Sequence, residues 1–418
     1  MRHLPVQGTL ASLATAPATS ARPRRASKAP ALKAQPPAGI PCFRPIVGQE
    51  EIEAVVTVLR SGWLTTGSKA SEFEQKFAAF LGGGIAAVAV SSATAGLHLA
   101  AEACGIGSGD AVIVPTLTFT ATASVIRYLG AEVILVDVEE NTYAIDLDHA
   151  ARRLKPNCKA IMPVHFGGYP CDMQKVQSFA RRHGLKIIED AAHALPARRD
   201  GCLIGAGNSD ACVFSFYATK PITTGEGGMI VTRDPQIAAR ARMMRTHGLN
   251  RDAFDRFRKV GASWAYDVVA PGFKYNLTDV AAAIGVVQLG RAETLQRARQ
   301  RAAERYLEQL KGLPIDCPAP APRGCLHSWH LFPICVHDTA RATRDELIAA
   351  LSAEGIGTSV HYRPLHQMTY WRERYGSRPN DFPIADRYFA GALTLPLFAG
   401  MSDDQVDRVV EVVRDVLG

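Results

Sequence analysis

Short apolar runs recur between residues 43 and 289 with helical patterns set between them, and that alternation leaves few folds open to the chain. Runs at 85–90, 111–114, 133–136, 160–163, 185–188, 211–216 and 229–231 have the length of buried strands and are rich in β-branched residues. Helical patterns fall between them, for instance at 51–60, 121–129 and 173–183. Strands joined through helices pair in parallel and are covered on both faces, so the expectation is an α/β fold built on a mostly parallel, mixed sheet. No G-x-G-x-x-G follows the first strand, which disfavours a nicotinamide-binding oxidoreductase. The glycines at 82–84 form a turn and not a phosphate loop, since no G-K-[ST] follows.

Sheets of this kind bind ligands beyond the carboxyl ends of their strands, and three such ends carry chemistry here. The stretch 214–231, F-S-F-Y-A-T-K-P-I-T-T-G-E-G-G-M-I-V, sets one lysine, Lys220, in a glycine-rich turn between two apolar segments. A desolvated ammonium loses its proton readily, which is how lysines become Schiff-base nucleophiles; a solvated surface lysine is the ordinary alternative. Run 185–188 ends in E-D-A-A-H, placing Asp190 and His193 at a strand end, where a helix cap is the plain alternative for the acid. Run 85–90 leads into S-S-A-T-A-G ahead of a helical pattern, and free N–H groups at such a helix start suit a phosphate, although they also serve as common caps. In pyridoxal phosphate (PLP) enzymes a lysine holds the aldehyde carbon and an aspartate pairs with the pyridinium nitrogen. Lys220 and Asp190 match those two roles.

From residue 44 to about 417 the chain resembles the DegT/StrS-type sugar aminotransferases of PLP fold type I. The motifs that carry the resemblance are G-W-L-T-T-G (62–67), S-S-A-T-A-G-L-H (91–98), P-T-L-T-F-T-A-T (115–122), I-E-D-A-A-H-A (188–194), S-F-Y-A-T-K (215–220), G-E-G-G (225–228), R-T-H-G-L (245–249) and G-F-K-Y-N-L-T-D (272–279). Their common order is specific where any one alone is not. Most relatives have S-G-T-A where this chain has S-A-T-A. That form, with H-S-W-H-L-F (327–332) and G-I-G-T-S-V-H-Y-R-P-L-H (355–366), is most similar to the ArnB branch, which aminates the 4-keto group of a UDP-pentose.

The resemblance implies a role for each matched residue. Lys220 is expected to form the Schiff base and then act as general base, and Asp190 to keep the pyridine nitrogen protonated. Phe119 is expected to stack on the ring and His193 to lie near its phenolic oxygen. For both, an ordinary core position is the alternative. The backbone of Ala93 and Thr94, the Ser215 hydroxyl and Asn276 from a partner subunit are expected to hold the phosphate, in a homodimer with shared sites. Thr65, Thr66, His361 and Tyr362 are candidate substrate contacts, and Lys274 and Arg363 candidate partners of a diphosphate. The expected reaction moves an amino group from L-glutamate, leaving 2-oxoglutarate, to a keto group of a nucleotide-linked sugar, by a ping-pong route in the making of cell-surface polysaccharide or lipopolysaccharide sugars. A sugar dehydratase of the same family is disfavoured, because such relatives carry histidine in place of the lysine. A non-catalytic sensor or scaffold is the third reading, which loss of Lys220 or Asp190 would signal.

Composition adds exclusions. Of the formal charge of +7, six units lie within residues 1–41, leaving +1 for the rest and no basic face for nucleic acid. Residues 1–41 are rich in Ala and Pro, without acids or aromatics, and are expected to be a disordered tail; a transit segment or an upstream start would look alike. The nine cysteines are scattered without metal-ligand spacing, the pattern of reduced thiols in a cytoplasm, and no run nears the ~18 apolar residues of a membrane span. The domain expectation is a large PLP-binding domain at 42–290 and a small C-terminal α/β domain at 291–418. One long helix is expected over 276–311, then a P-A-P-A-P linker at 318–322, a strand at 328–336, a helix at 344–354, a strand at 357–362 and a last helix at 403–417.

Overall fold

The computed structural model describes residues 39–250, 266–378 and 380–418; the expected tail lies outside them except for its last three residues. In chain order the strands of the first part are β1 (Ala86–Val90), β2 (Ala111–Pro115), β3 (Glu132–Val136), β4 (Cys158–Ile161), β5 (Lys186–Asp190), the two-residue ribbon β6 (Arg198–Arg199) and β7 (Cys202–Leu203), β8 (Ala211–Ser215) and β9 (Gly228–Thr232). All but the ribbon join one seven-stranded sheet in the order β1-β9-β8-β5-β4-β2-β3. Only β9 runs against the others, so the sheet is mixed but mostly parallel, as the alternating pattern predicts.

Both faces are buried because successive side chains of each strand serve opposite cores. Val88, Val112, Val213 and Ile230 pack on one face against the helices Ala93–Ala103, Ala121–Tyr128 and Pro235–Met244. Ala89, Phe214 and Met229 pack on the other against Ser68–Leu81 and Asp279–Gly290, while Ile113 and Ile187 meet Met173–His183. Gly96 lets the first of these helices lie close to the sheet. A Cβ there would stand 2.6 Å from the Val213 side chain.

Beyond residue 290 a three-stranded antiparallel sheet forms in the order β10 (Ile315–Asp316), β11 (Phe332–Val336), β12 (Ala392–Leu395). Its core joins Tyr306, Phe332, Leu347 and Val409, from the helices Ala292–Gln309, Arg344–Ala353 and Asp403–Leu417 that cover it. Ser402 and Gln405 close a capping box at the start of the last helix, whose bounds match the sequence expectation.

Several expectations need correction. The helix expected over 276–311 is two helices, Asp279–Gly290 and Ala292–Gln309, parted at Arg291. Asn276 stands outside them, extended and bridged to Val90, because Thr278 is the residue whose side chain accepts the Ala281 N–H and so caps the start. Only 332–336 of the strand expected at 328–336 pairs in the sheet. Residues 328–331 turn away, and the Ser328, His330 and Leu331 N–H groups donate to the carbonyls of Gly168 and Gly167. The strand expected at 357–362 is reduced to one bridge, Ser359 with Thr394. Ile40, assigned to the tail, is buried instead. Its N–H donates to Gly355 and its carbonyl accepts from Gly357, pinning it into the C-terminal core. Among the described residues no helix is long and apolar enough to cross a membrane.

Candidate active site

Three strands end at one edge of the large sheet beside functional residues: β1 at Val90, just before Ser91 and Ser92, β5 at Asp190 and β8 at Ser215. β9 starts there at Gly228 because it runs the other way. Around that edge lies a cavity of about 610 Å³ lined by Ala93, Thr94, Phe119, Asp190, His193, Ser215, Lys220, His361 and Tyr362. Its size is that of small-molecule sites in general. Thr65, Thr66 and Asn276 are not among its walls. Thr66 and Asn276 meet each other instead: Asn276 Nδ2 donates to Thr66 Oγ1 at 2.7 Å and Thr66 Oγ1 donates to the Leu277 carbonyl at 2.6 Å, while the Thr65 carbonyl accepts the Asp279 N–H at 3.2 Å. Lys274 Nζ donates to Asn276 Oδ1 at 2.5 Å.

Lys220 lies in the loop between β8 and β9 and is half-buried at the cavity wall. Burial pushes its amine down to about 8, against the pull of Asp190, which raises it. Its Nζ is 3.4 Å from His330 Nε2. Asp190 is buried. Burial raises its carboxyl above the ordinary range, and hydrogen bonds from the Thr122 hydroxyl at 2.7 Å and the Ala192 N–H at 3.1 Å oppose the rise. Cation and acid thus face one cavity, with desolvation opposing the charge of each.

Around them the imidazoles are neutral. Burial drives His193 and His330 well below the ordinary histidine range and His361 to about 4, and the Lys220 charge adds to each. His193 Nδ1 accepts the Gly167 N–H at 3.2 Å, so Nε2 carries the proton and donates toward the Tyr362 oxygen at 3.2 Å. Phe119 is 57% exposed, which sets aside the core reading: it stands at the cavity wall as an apolar plate beside Tyr362.

One end of the cavity is shaped for an anion. Ser92 caps the helix Ala93–Ala103 by accepting the Ala95 N–H, leaving the N–H groups of the first turn directed at the space next to Ser215. Gly228 makes that closeness possible, since a Cβ on it would meet Ser92 C at 2.6 Å and Ala93 N at 2.7 Å. The G-W-L-T-T-G turn is fixed by a residue the sequence pointed to only as the end of a motif. Asp279, buried, accepts the N–H groups of Gly67, Lys69 and Ala70 at 2.7, 3.1 and 2.9 Å. Thr122 and His330 were likewise visible only as letters inside longer motifs; no spacing singles them out before the fold brings them to Asp190 and Lys220.

An amine of depressed basicity, an acid lining the same cavity, an aromatic plate and an anion cradle together are the parts that hold a phosphorylated pyridine aldehyde. A model of the DegT/DnrJ/EryC1/StrS aminotransferase family matches residues 45–414. The chain belongs to that family. The aminotransferase is 44% identical over 381 residues to the spore coat polysaccharide biosynthesis protein SpsC of Bacillus subtilis, covering 90% of this chain and 97% of SpsC. Its fold matches the PLP form of Spr1654 from Streptococcus pneumoniae, described as a sugar aminotransferase, with a TM-score of 0.83 and 32% identity over 91% of this chain and 100% of that one. It also matches Helicobacter pylori PseC, an aminotransferase involved in the biosynthesis of pseudoaminic acid, with a TM-score of 0.83 and 26% identity over 91% and 99% of the two chains. It is a PLP-dependent sugar aminotransferase of fold type I.

The Lys220 environment sets a pH dependence. The amine is nucleophilic only without its proton, so cofactor capture by the cofactor-free aminotransferase should quicken about tenfold per pH unit from about pH 6 and level off near pH 8. Stopped-flow absorbance follows it directly. Asp190 attracts the Lys220 charge, so Asp190→Asn should move the break to lower pH. A profile that keeps climbing to pH 10 would contradict the lowered basicity of the amine.

Proposed function

We propose that this chain moves the amino group of L-glutamate to the 4-keto group of a nucleotide-linked sugar and releases 2-oxoglutarate. The observation that carries the reading is Lys220, half-buried and less basic than an ordinary lysine, lining with Asp190 a cavity of about 610 Å³. The polysaccharide role in the name of SpsC supports a sugar acceptor destined for a cell-surface polymer. When bound, PLP supplies an electron sink for the charge left on carbon as a proton departs. Everything else falls to the chain. Asp190, kept in place by Thr122 and Ala192, holds a proton on the ring nitrogen. The first N–H groups of Ala93 and Thr94 and the Ser215 hydroxyl take the phosphate, and Phe119 covers a ring face. Lys220 removes the proton from the donor's α-carbon and returns one to the sugar carbon, with neutral His330 fixing the direction of its Nζ. His193 and Tyr362 form a neutral hydrogen-bonded pair at the cavity wall that would receive the cofactor's phenolic oxygen, and His361 would add a further contact for the sugar. In this reading residues 291–418 act as a small domain against the large domain 42–290. A panel of nucleotide keto-sugars, each incubated with glutamate and scored for 2-oxoglutarate, tests the acceptor. No 2-oxoglutarate with any of them would end the proposal.

The reading includes a two-fold dimer in which Asn276 and the neighbouring Thr65 and Thr66 serve the partner's cavity. What supports it is that none of the three lines the cavity of its own chain and that Asn276 and Thr66 are joined by a hydrogen bond outside it. Two inactive proteins, Lys220→Ala and Asn276→Asp, are expected to regain activity when refolded together. In a mixed dimer one site collects both lesions and the other neither, so random mixing restores about a quarter of the sites. Mixed dimers without any recovery would place Asn276 in its own subunit's site.

A further inference from the structure

Behind Lys220 lies a second, much smaller space. Phe43, Thr219 and Lys220 line both it and the large cavity and so form the wall between them. The recess holds about 20 Å³, room for a single water-sized particle. Its far side is Arg299, from the helix Ala292–Gln309.

Arg299 is 5% exposed, and burial lowers its guanidinium to about 9, so it keeps its charge at neutral pH. Its Nε donates to the Ser328 carbonyl at 3.4 Å, while its buried Nη2 has no partner among the described residues. No acid among those residues pairs with it or pulls on its charge, and none lines the recess. Arg44 stands at the rim and Lys220 in the wall, so three cationic side chains surround the space. A buried charge without a counter-charge is strongly disfavoured, and a neutral water would satisfy the orphan N–H without offsetting the charge.

We infer that this recess is a binding site for one small monovalent anion, a halide, held by Arg299 on the side of Lys220 away from the large cavity. Such an ion would compensate Arg299 and set the local field at the Lys220 amine.

Crystals of the PLP-loaded protein soaked in sodium bromide should show one anomalous peak beside the Arg299 guanidinium, absent from Arg299→Gln crystals. Cofactor capture gives a second readout. At constant ionic strength, bromide should move the pH break of capture by the wild-type protein to higher pH, since an anion beside Lys220 favours its charged form, and should leave the break of Arg299→Gln where it is. Should Arg299→Gln fold poorly, the wild-type bromide series decides alone, with Arg299→Lys as the charge-conserving control. Wild-type crystals without a bromide peak, together with a pH break indifferent to bromide, overturn the inference.

Discussion

Lys220→Ala is expected to abolish the bound-cofactor absorbance of the aminotransferase and to lower turnover by about 10⁴-fold or more, because in the proposed reading one change removes both the covalent anchor and the base that moves the proton. The loss should not be one of folding. A lysine whose basicity is depressed in the folded protein contributes stability above its unfolded pKa and loses it as pH falls toward about 8. Below that pH the folded chain must enclose a charge it would otherwise leave in water. At neutral pH the cofactor-free alanine protein is therefore expected to melt no lower than the parent. Two measurements check the assignment: a melting curve of the cofactor-free protein, and turnover with added methylamine, which should recover part of the rate by standing in as base. A variant that exchanges the amino group of glutamate at the parent rate would remove Lys220 from the reaction.

The second large effect is expected at Asp190. Asp190→Asn keeps the shape and can still accept the Thr122 hydroxyl, so cofactor should bind and the fold should survive. What goes, in the proposed reading, is the negative charge beside the ring nitrogen. Losing one preorganised electrostatic contact of this kind costs about 10³-fold in rate. The signature is a split result: cofactor loaded, absorbance present, turnover nearly gone. Thr122→Val should move the same way by less, about tenfold, since it removes one hydrogen bond to the carboxylate and leaves the charge. Unchanged turnover in Asp190→Asn would show that the ring does not depend on it.

Much of this was legible before any coordinates. The strand and helix periods gave the large sheet, because its strands are buried on both faces and read as plain apolar runs. Lys220 and Asp190 stood out by position, each in a polar stretch next to such a run, while His193 and Ser215 were singled out only through the motifs that carry the resemblance; all four line the cavity. What escaped had physical reasons. The helix expected over 276–311 looked continuous because Arg291 breaks it without a proline; only the hydrogen-bond pattern marks the turn. Residues 328–331 and 357–362 have strand composition, but their N–H groups are engaged elsewhere, on Gly167 and Gly168 or on a single bridge to Thr394. His330 and Arg299 reach the Lys220 region through packing of the C-terminal part, and contacts so distant along the chain leave no local pattern to read.

The bond between Ile40 and residues 355–357 bears on how the protein is made. Phe43, three residues after the Ile40 anchor, lines the cavity around Lys220, as do His361 and Tyr362. An emerging chain can lay down the large sheet early, yet both of these walls wait for residues near its far end. A ribosome stalled before residue 355 would present a sheet carrying Lys220 with its cavity still open to water. Such late closure makes contacts of very long sequence separation, which fold slowly, and it delays the shielded chemistry until the chain is almost fully synthesised.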